Sequence, residues 1–274
     1  MVLRFETFDS VVGADITTAN TILDFASGLK TQPELNPPVG GTQVGIKACR
    51  TNSNSSGFGG FNLGDRPRGT VSAKMLVNRN NPAFTATASP PWPIPLLTLT
   101  SGSVEIGSFE YGRVGDDIVI NFVHPDPADI NSTLTEVVHV VPVSAPPDWD
   151  GLLWREYRIE FITTTQVIAT VFEYPASGDP ALIYGLAFPF PTAQFAAAEA
   201  VSAAGQARFN VFLDITGHTG EDADCAHFWW SSVDVRAPMV NRVLPRSDGE
   251  GGSTTPRVFP PGRERNPRRP TGYL

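Results

Sequence analysis

Cysteine, lysine and methionine are scarce in this 274-residue chain, which has two, three and three of them. Two cysteines, Cys49 and Cys225, are too few for a disulfide framework or a thiolate-rich zinc site. They stand far apart in the sequence, and without export no bridge between them is expected. Long apolar runs are missing as well. The longest uncharged apolar-looking run, 181–198, is broken by Pro189, Pro191, Thr192 and Gln194, which excludes it as a membrane-spanning helix. The opening MVLRFETFDS places Glu6 and Asp9 where a secretory leader would be apolar, so no export signal is expected. Common catalytic signatures are absent: no G-x-S-x-G, P-loop, Rossmann glycine fingerprint or HExxH.

Glycine and proline are abundant instead, 25 of each and without a Gly-X-Y period. That excludes collagen and disfavours an all-helical protein, because both residues punctuate turns. Hydrophobic residues make up 41%, enough for a packed core. The net charge of −8 is uneven. Residues 241–274 hold seven Arg and three acids, a surplus of +4, which leaves the body at −12. An acidic body repels phosphate, so neither nucleic acid nor membrane is an expected partner.

Short β-branched and aromatic runs bounded by Gly, Pro, Asn and Asp dominate the body. They predict strands over 5–8, 42–48, 70–77, 96–100, 104–111, 117–123, 134–141, 157–162, 166–174, 182–188, 208–215 and 227–235. GRVGD and a Thr-rich turn predict hairpins for two of the pairs. One helix is predicted, with Thr192 as N-cap and Gly205 as stop, and with Phe195, Ala198 and Val201 at helical spacing. The fold class is therefore all-β, an antiparallel β-sandwich over residues 1–240 with one short accessory helix.

Beyond Val240 the composition changes. Residues 241–274 hold eleven Gly or Pro and little to bury, so alone they should be coil. Ordering such a segment costs roughly 1–2 kcal/mol per residue and needs an extensive partner surface. They read as an extended assembly arm, with Arg257, Phe259, Arg263, Arg265, Arg268, Arg269 and Tyr273 as its contact residues. Its arginines could contact phosphate but lack interleaved aromatics, and an acidic protein neighbour accounts for them equally well.

Three clusters are candidates for chemistry. Glu105 and Glu110 lie in EIGSFE, five positions apart, so a regular strand aims them at opposite faces unless a bulge at Gly107 realigns them. The bland reading, two solvent-facing glutamates in a hairpin strand, is favoured. In GHTGEDADCAH, the carboxylates Glu221, Asp222 and Asp224 would suit Ca²⁺, against a solvated acidic turn that needs no ion. No other cofactor is expected. Trp92 in SPPWPIP and Trp149 in PPDWDG sit in turn-like segments where an exposed ring could meet a sugar. In HFWWSSVDVRA, Trp229 shares parity with Val233 and Val235, leaving Phe228 and Trp230 on the other face. That pair could bind sugar, cover the helix or pack in a core or subunit interface, and packing is favoured. His124, near Asp126 and Asp129, reads as a lone surface histidine.

The segments FETFDS, IPLLTLTSGSVEIGSFEYG, WREYRIEFITTTQVIATVFEY and HFWWSSVDVRA resemble, over about residues 5–237, the concanavalin A-like lectin/glucanase sandwich, including its laminin-G-like branch. The resemblance implies a jelly-roll whose last strand pairs beside its first. EIGSFE is similar to the glucanase motif in which two glutamates flank an aspartate, but Gly107 stands in the aspartate's place. Members of this group are glycan-binding modules, glycosidases or virion components. Taken with the arm, the resemblance implies a non-enzymatic virion structural protein, a phage capsid-decoration or tail/fibre component made in the host cytoplasm. It would assemble with its own copies or other virion proteins and present a glycan-binding face. The alternatives are a free-standing lectin module and a glycoside hydrolase using Glu105 and Glu110.

Overall fold

The computed structural model describes residues 3–8, 11, 15–32, 48–51, 57–64, 68–77, 94–101, 104–114, 117–129, 131–141, 154–161, 165–174, 178–193, 205–211 and 223–232. The chain divides into two units, Met1–Asp234 and Val235–Leu274; the second, with every arm residue, lies outside the described residues.

The first unit is an antiparallel β-sandwich. Its described strands are β1 (Leu3–Glu6), β2 (Phe25–Ser27), β3 (Leu29–Gln32), β4 (Ala48–Thr51), β5 (Gly57–Gly64), β6 (Gly69–Val77), β7 (Ile94–Ser101), β8 (Val104–Val114), β9 (Asp117–Pro125), β10 (Thr133–Val141), β11 (Trp154–Phe161), β12 (Gln166–Tyr174), β13 (Ala181–Pro189), β14 (Gly205–Val211) and β15 (Ala223–Ser232). Sheet A runs β13-β12-β11-β6-β15-β4-β3, with β1 also on β15; sheet B runs β10-β9-β8-β7-β14-β5-β2. First and last strands are thus neighbours, Phe5 opposite Trp229. Both predicted hairpins are present, β8 with β9 and β11 with β12.

Alternation along each strand sends one set of side chains between the sheets, where burial of each large apolar group contributes about 1.5–3 kcal/mol. Aromatic rings join the two layers. Phe61 of β5 stacks on Phe228 of β15 at 4.6 Å, and Phe109 of β8 meets Tyr157 of β11 at 5.3 Å. Near the start, Glu6 is buried and accepts the N–H groups of Phe8 (2.7 Å) and Ile22 (2.8 Å). Those bonds help hold Phe8 at a left-handed φ of 61° while its ring enters the core.

Strand β5, GFGGFNLG, was not anticipated, because half its residues are glycine. Neighbouring chain explains the glycines. A Cβ at Gly57 would lie 2.6 Å from the Gly28 carbonyl, and one at Gly60 2.2 Å from that of Ala207. Of the predicted strand 42–48, only Ala48 is described, as the first residue of β4. The predicted helix lies outside the described residues after Ala193, and Gly205 opens β14.

Candidate functional site

The outer face of sheet B holds the two glutamates of EIGSFE, and the register of β8 explains how. Along β7, Thr98, Leu99 and Thr100 face Ser108, Gly107 and Glu105, so Ile106 is an extra residue on β8. Ile106 and Phe109 point into the core, and a Cβ at Gly107 would lie 2.6 Å from the Phe122 ring, so Gly107 also faces inward. Ser108 and Thr98 face the other way and share a 2.8 Å hydroxyl hydrogen bond. Glu110 follows Ser108 by two positions and pairs with Asn121; Glu105 pairs with Thr100, two beyond Thr98. Both carboxylates therefore share the outer face. A regular strand would have separated them; the bulge, centred on Ile106 beside Gly107, brings them together.

Their surroundings are not those of solvent-facing glutamates, and the bland reading of the pair is corrected accordingly. Glu105 and Glu110 are both half-buried, and Glu105 Oε1 is buried without a hydrogen-bond partner among the described residues. Burial pushes Glu105 above the ordinary carboxylate value. Burial, together with the Glu105 charge, pushes Glu110 up to about 7. Towards neutrality Glu110 thus still holds a proton on the face it shares with Glu105.

A second polar cluster sits on the outer face of sheet A. Glu156 is buried and accepts hydrogen bonds from Ser72 Oγ (2.6 Å), Tyr174 OH (2.6 Å) and the Arg158 guanidinium (2.7 Å). Burial alone would raise its carboxyl, but the Arg158 charge and these hydrogen bonds hold it below the usual range. Lys74, opposite Glu156 on β6, is lowered by burial to about 8 against the pull of that carboxylate, and its ammonium lies 3.6 Å above the Tyr174 ring. Glu156, with its acceptor oxygens on three partners, is a structural anchor.

The other sequence candidates fall as follows. Phe228 and Trp230 are fully buried in the core cluster, in line with the favoured packing reading, and the sugar-binding alternative for the pair is dropped. Register decides it: they oppose Ala73 and Val71, inward residues of β6, so Trp229 takes the outer face. Asp224 lies within β15, its backbone paired with Arg50 and Leu76, rather than in a loop. Glu221, Asp222, Trp92, Trp149 and the arm residues Arg257, Phe259, Arg263, Arg265, Arg268, Arg269 and Tyr273 lie outside the described residues. Among the described residues no group of three or more His, Cys, Asp or Glu is placed to hold a metal ion. His124, expected at the surface, is 2% exposed and lies 4.3 Å from the Phe188 ring at a 33° tilt, with Nδ1–H donating to the Pro125 carbonyl. Cys49 and Cys225, distant in sequence, are backbone partners across β4 and β15.

Sequence reasoning missed Phe25 and Phe58, because both belong to strands it did not predict. The alternation of Phe58 and Phe61 with glycines in β5 was the available signal.

No protein-family model matches this chain, and a search of curated proteins finds no match. Solved structures similar to it include a GH43 glycoside hydrolase engineered for both endo-xylanase and exo-arabinofuranosidase activity. The identity is 11% over 82% of this chain, with a TM-score of 0.40. This chain spans only 40% of that one. A protein of unknown function from Shewanella oneidensis MR-1 is 13% identical, covering 87% of this chain and 90% of the other at a TM-score of 0.45. An alginate lyase from Pseudomonas aeruginosa is 10% identical, covering 70% and 76% at 0.36. At such identities and TM-scores none of them bears on what this chain does.

Proposed function

We propose that this chain is a glycan-binding sandwich of the concanavalin A-like kind whose ligand lies across the outer face of sheet B, centred on Glu105 and Glu110. The carrying observation is the β8 bulge, which sets two half-buried, electrostatically coupled carboxyls on one face with Ser108 and Thr98 in the register row between them. Sugar hydroxyls both donate and accept, so a carboxyl pair of which Glu110 holds its proton towards neutrality suits them, with the buried polar Ser108, Thr98 and Asn121 forming the floor of the face between the two.

A second reading is glycosidic bond cleavage, and the raised value of Glu110 favours it specifically. A carboxyl near 7 keeps its proton until a leaving oxygen needs it, while Glu105 would act as base or nucleophile. The aspartate expected between the two in glucanases has no counterpart, since Gly107 points at Phe122.

The test is binding to a glycan array together with reducing-sugar release from a polysaccharide panel, for wild type, Glu105→Gln and Glu110→Gln. Binding without release, weakened in either variant, supports the binding module. Release lost in both variants supports the hydrolase. Wild type silent in both assays overturns the reading of this face. Virion attachment through residues 241–274 remains part of the proposal, supported by composition alone.

A further inference from the structure

We infer that Phe25, Phe58 and Arg208 form a sugar subsite on the same face, so that the ligand is an oligosaccharide of several units; this rests on the carboxylate site proposed above. Phe58 lies on β5 with outward parity, opposite Asn210 and Ser27, and is 38% exposed. Phe25, opposite Gly60 on the edge strand β2, lays its ring over that glycine: a Cβ there would lie 2.5 Å from Phe25 Cζ. Glycine at position 60 is what lets the ring cover the sheet. The two rings stand 6.1 Å apart at 45°, and the Arg208 guanidinium is 6.0 Å from the Phe25 centroid.

Register links this platform to the carboxylates. Gly60, Arg208, Thr98 and Ser108 form one row across β5, β14, β7 and β8, and Glu105 and Glu110 flank Ser108 along β8. From β5 to β8 there are three strand spacings, about 14 Å. That is more than a single sugar ring covers. The apolar C–H faces of a sugar pack on aromatic rings, while guanidinium N–H groups reach its hydroxyls. An apolar protein partner fits less well, because the exposed neighbour of the rings in this row is Arg208, and the buried groups between it and the carboxylates are the polar Thr98, Ser108 and Asn210 rather than apolar side chains.

The experiment is calorimetric titration of the full chain with xylan, laminarin and galactan oligosaccharides, from disaccharide to hexasaccharide. Wild-type affinity for the bound series should rise with length. Phe58→Ala should weaken the hexasaccharide about tenfold and leave the disaccharide unchanged, and Phe58→Trp should restore the longer ligand. Thermal melting of each variant separates lost binding from lost folding. If affinity still rises with length in Phe58→Ala and Arg208→Ala while Glu105→Gln abolishes binding, this subsite is wrong and the carboxylate site stands. If wild type binds none of the series at any length, the carboxylate reading fails and this inference with it.

Discussion

At Glu110, burial and the charge of Glu105 act in the same direction, and the outcome is a carboxyl that holds its proton up to about pH 7. The consequence for stability has a definite sign. The folded state binds this proton more tightly than the unfolded chain, where the group returns to about 4.5. Its contribution is therefore complete below the unfolded value and is lost as pH rises through about 7. Glu110→Gln should melt above wild type at about pH 8 and level with it at about pH 4. Melting temperatures of the two proteins across that range check this, and parallel curves would refute it. Glu156 presents the opposite case, a buried carboxylate kept ionised by Arg158, Ser72 and Tyr174. Two glutamates of one sandwich thus differ because one has partners for its charge and the other has a second carboxylate.

At the level of elements, the β8 bulge and the glycines of β5 build the sheet B face. Gly107 is where the chain passes inward beneath the bulge, and a methyl group there meets Phe122 at 2.6 Å. Gly107→Ala should cost about 1–3 kcal/mol, read as a lower urea midpoint with an unchanged slope. Wild-type stability in that variant would show that Phe122 can yield. The same contact bars an aspartate from this position: in this register its carboxylate would enter the core against an aromatic ring. Strand β5 uses glycine differently, trading propensity for close approach to Gly28, Ala207 and Phe25. Its stability comes from pairing with β14 and β2 on either side and from Phe61 and Leu63, which enter the core.

For the whole molecule, the acidic body and basic arm are the largest asymmetry in the sequence. If the arm docks on a partner, trypsin should cut after Arg246, Arg257, Arg263 and Arg265 in the isolated chain and spare those sites in its native assembly. Mass mapping of the fragments reads this directly. Equal cleavage in both states would reduce the arm to a tether and remove the ground for assembly through it.

Alternating β-branched and aromatic runs determined by themselves that this is an antiparallel β-sandwich, and where most of its long strands lie, because side-chain period and turn residues are local properties. The glutamate pair was legible in EIGSFE as a pair. Its facing was not, since the extra residue at Ile106 is defined only by the β7 partner that it opposes. The same holds for Phe228 and Trp230. Three aromatics in succession have no readable parity until β6 places Ala73 and Val71 beside them. Likewise Cys49 meets Cys225, and Phe25 meets Gly60, only across strands that the chain brings together from a distance. Tertiary structure decided these matters for one reason: register is a property of two strands, and no single segment contains it.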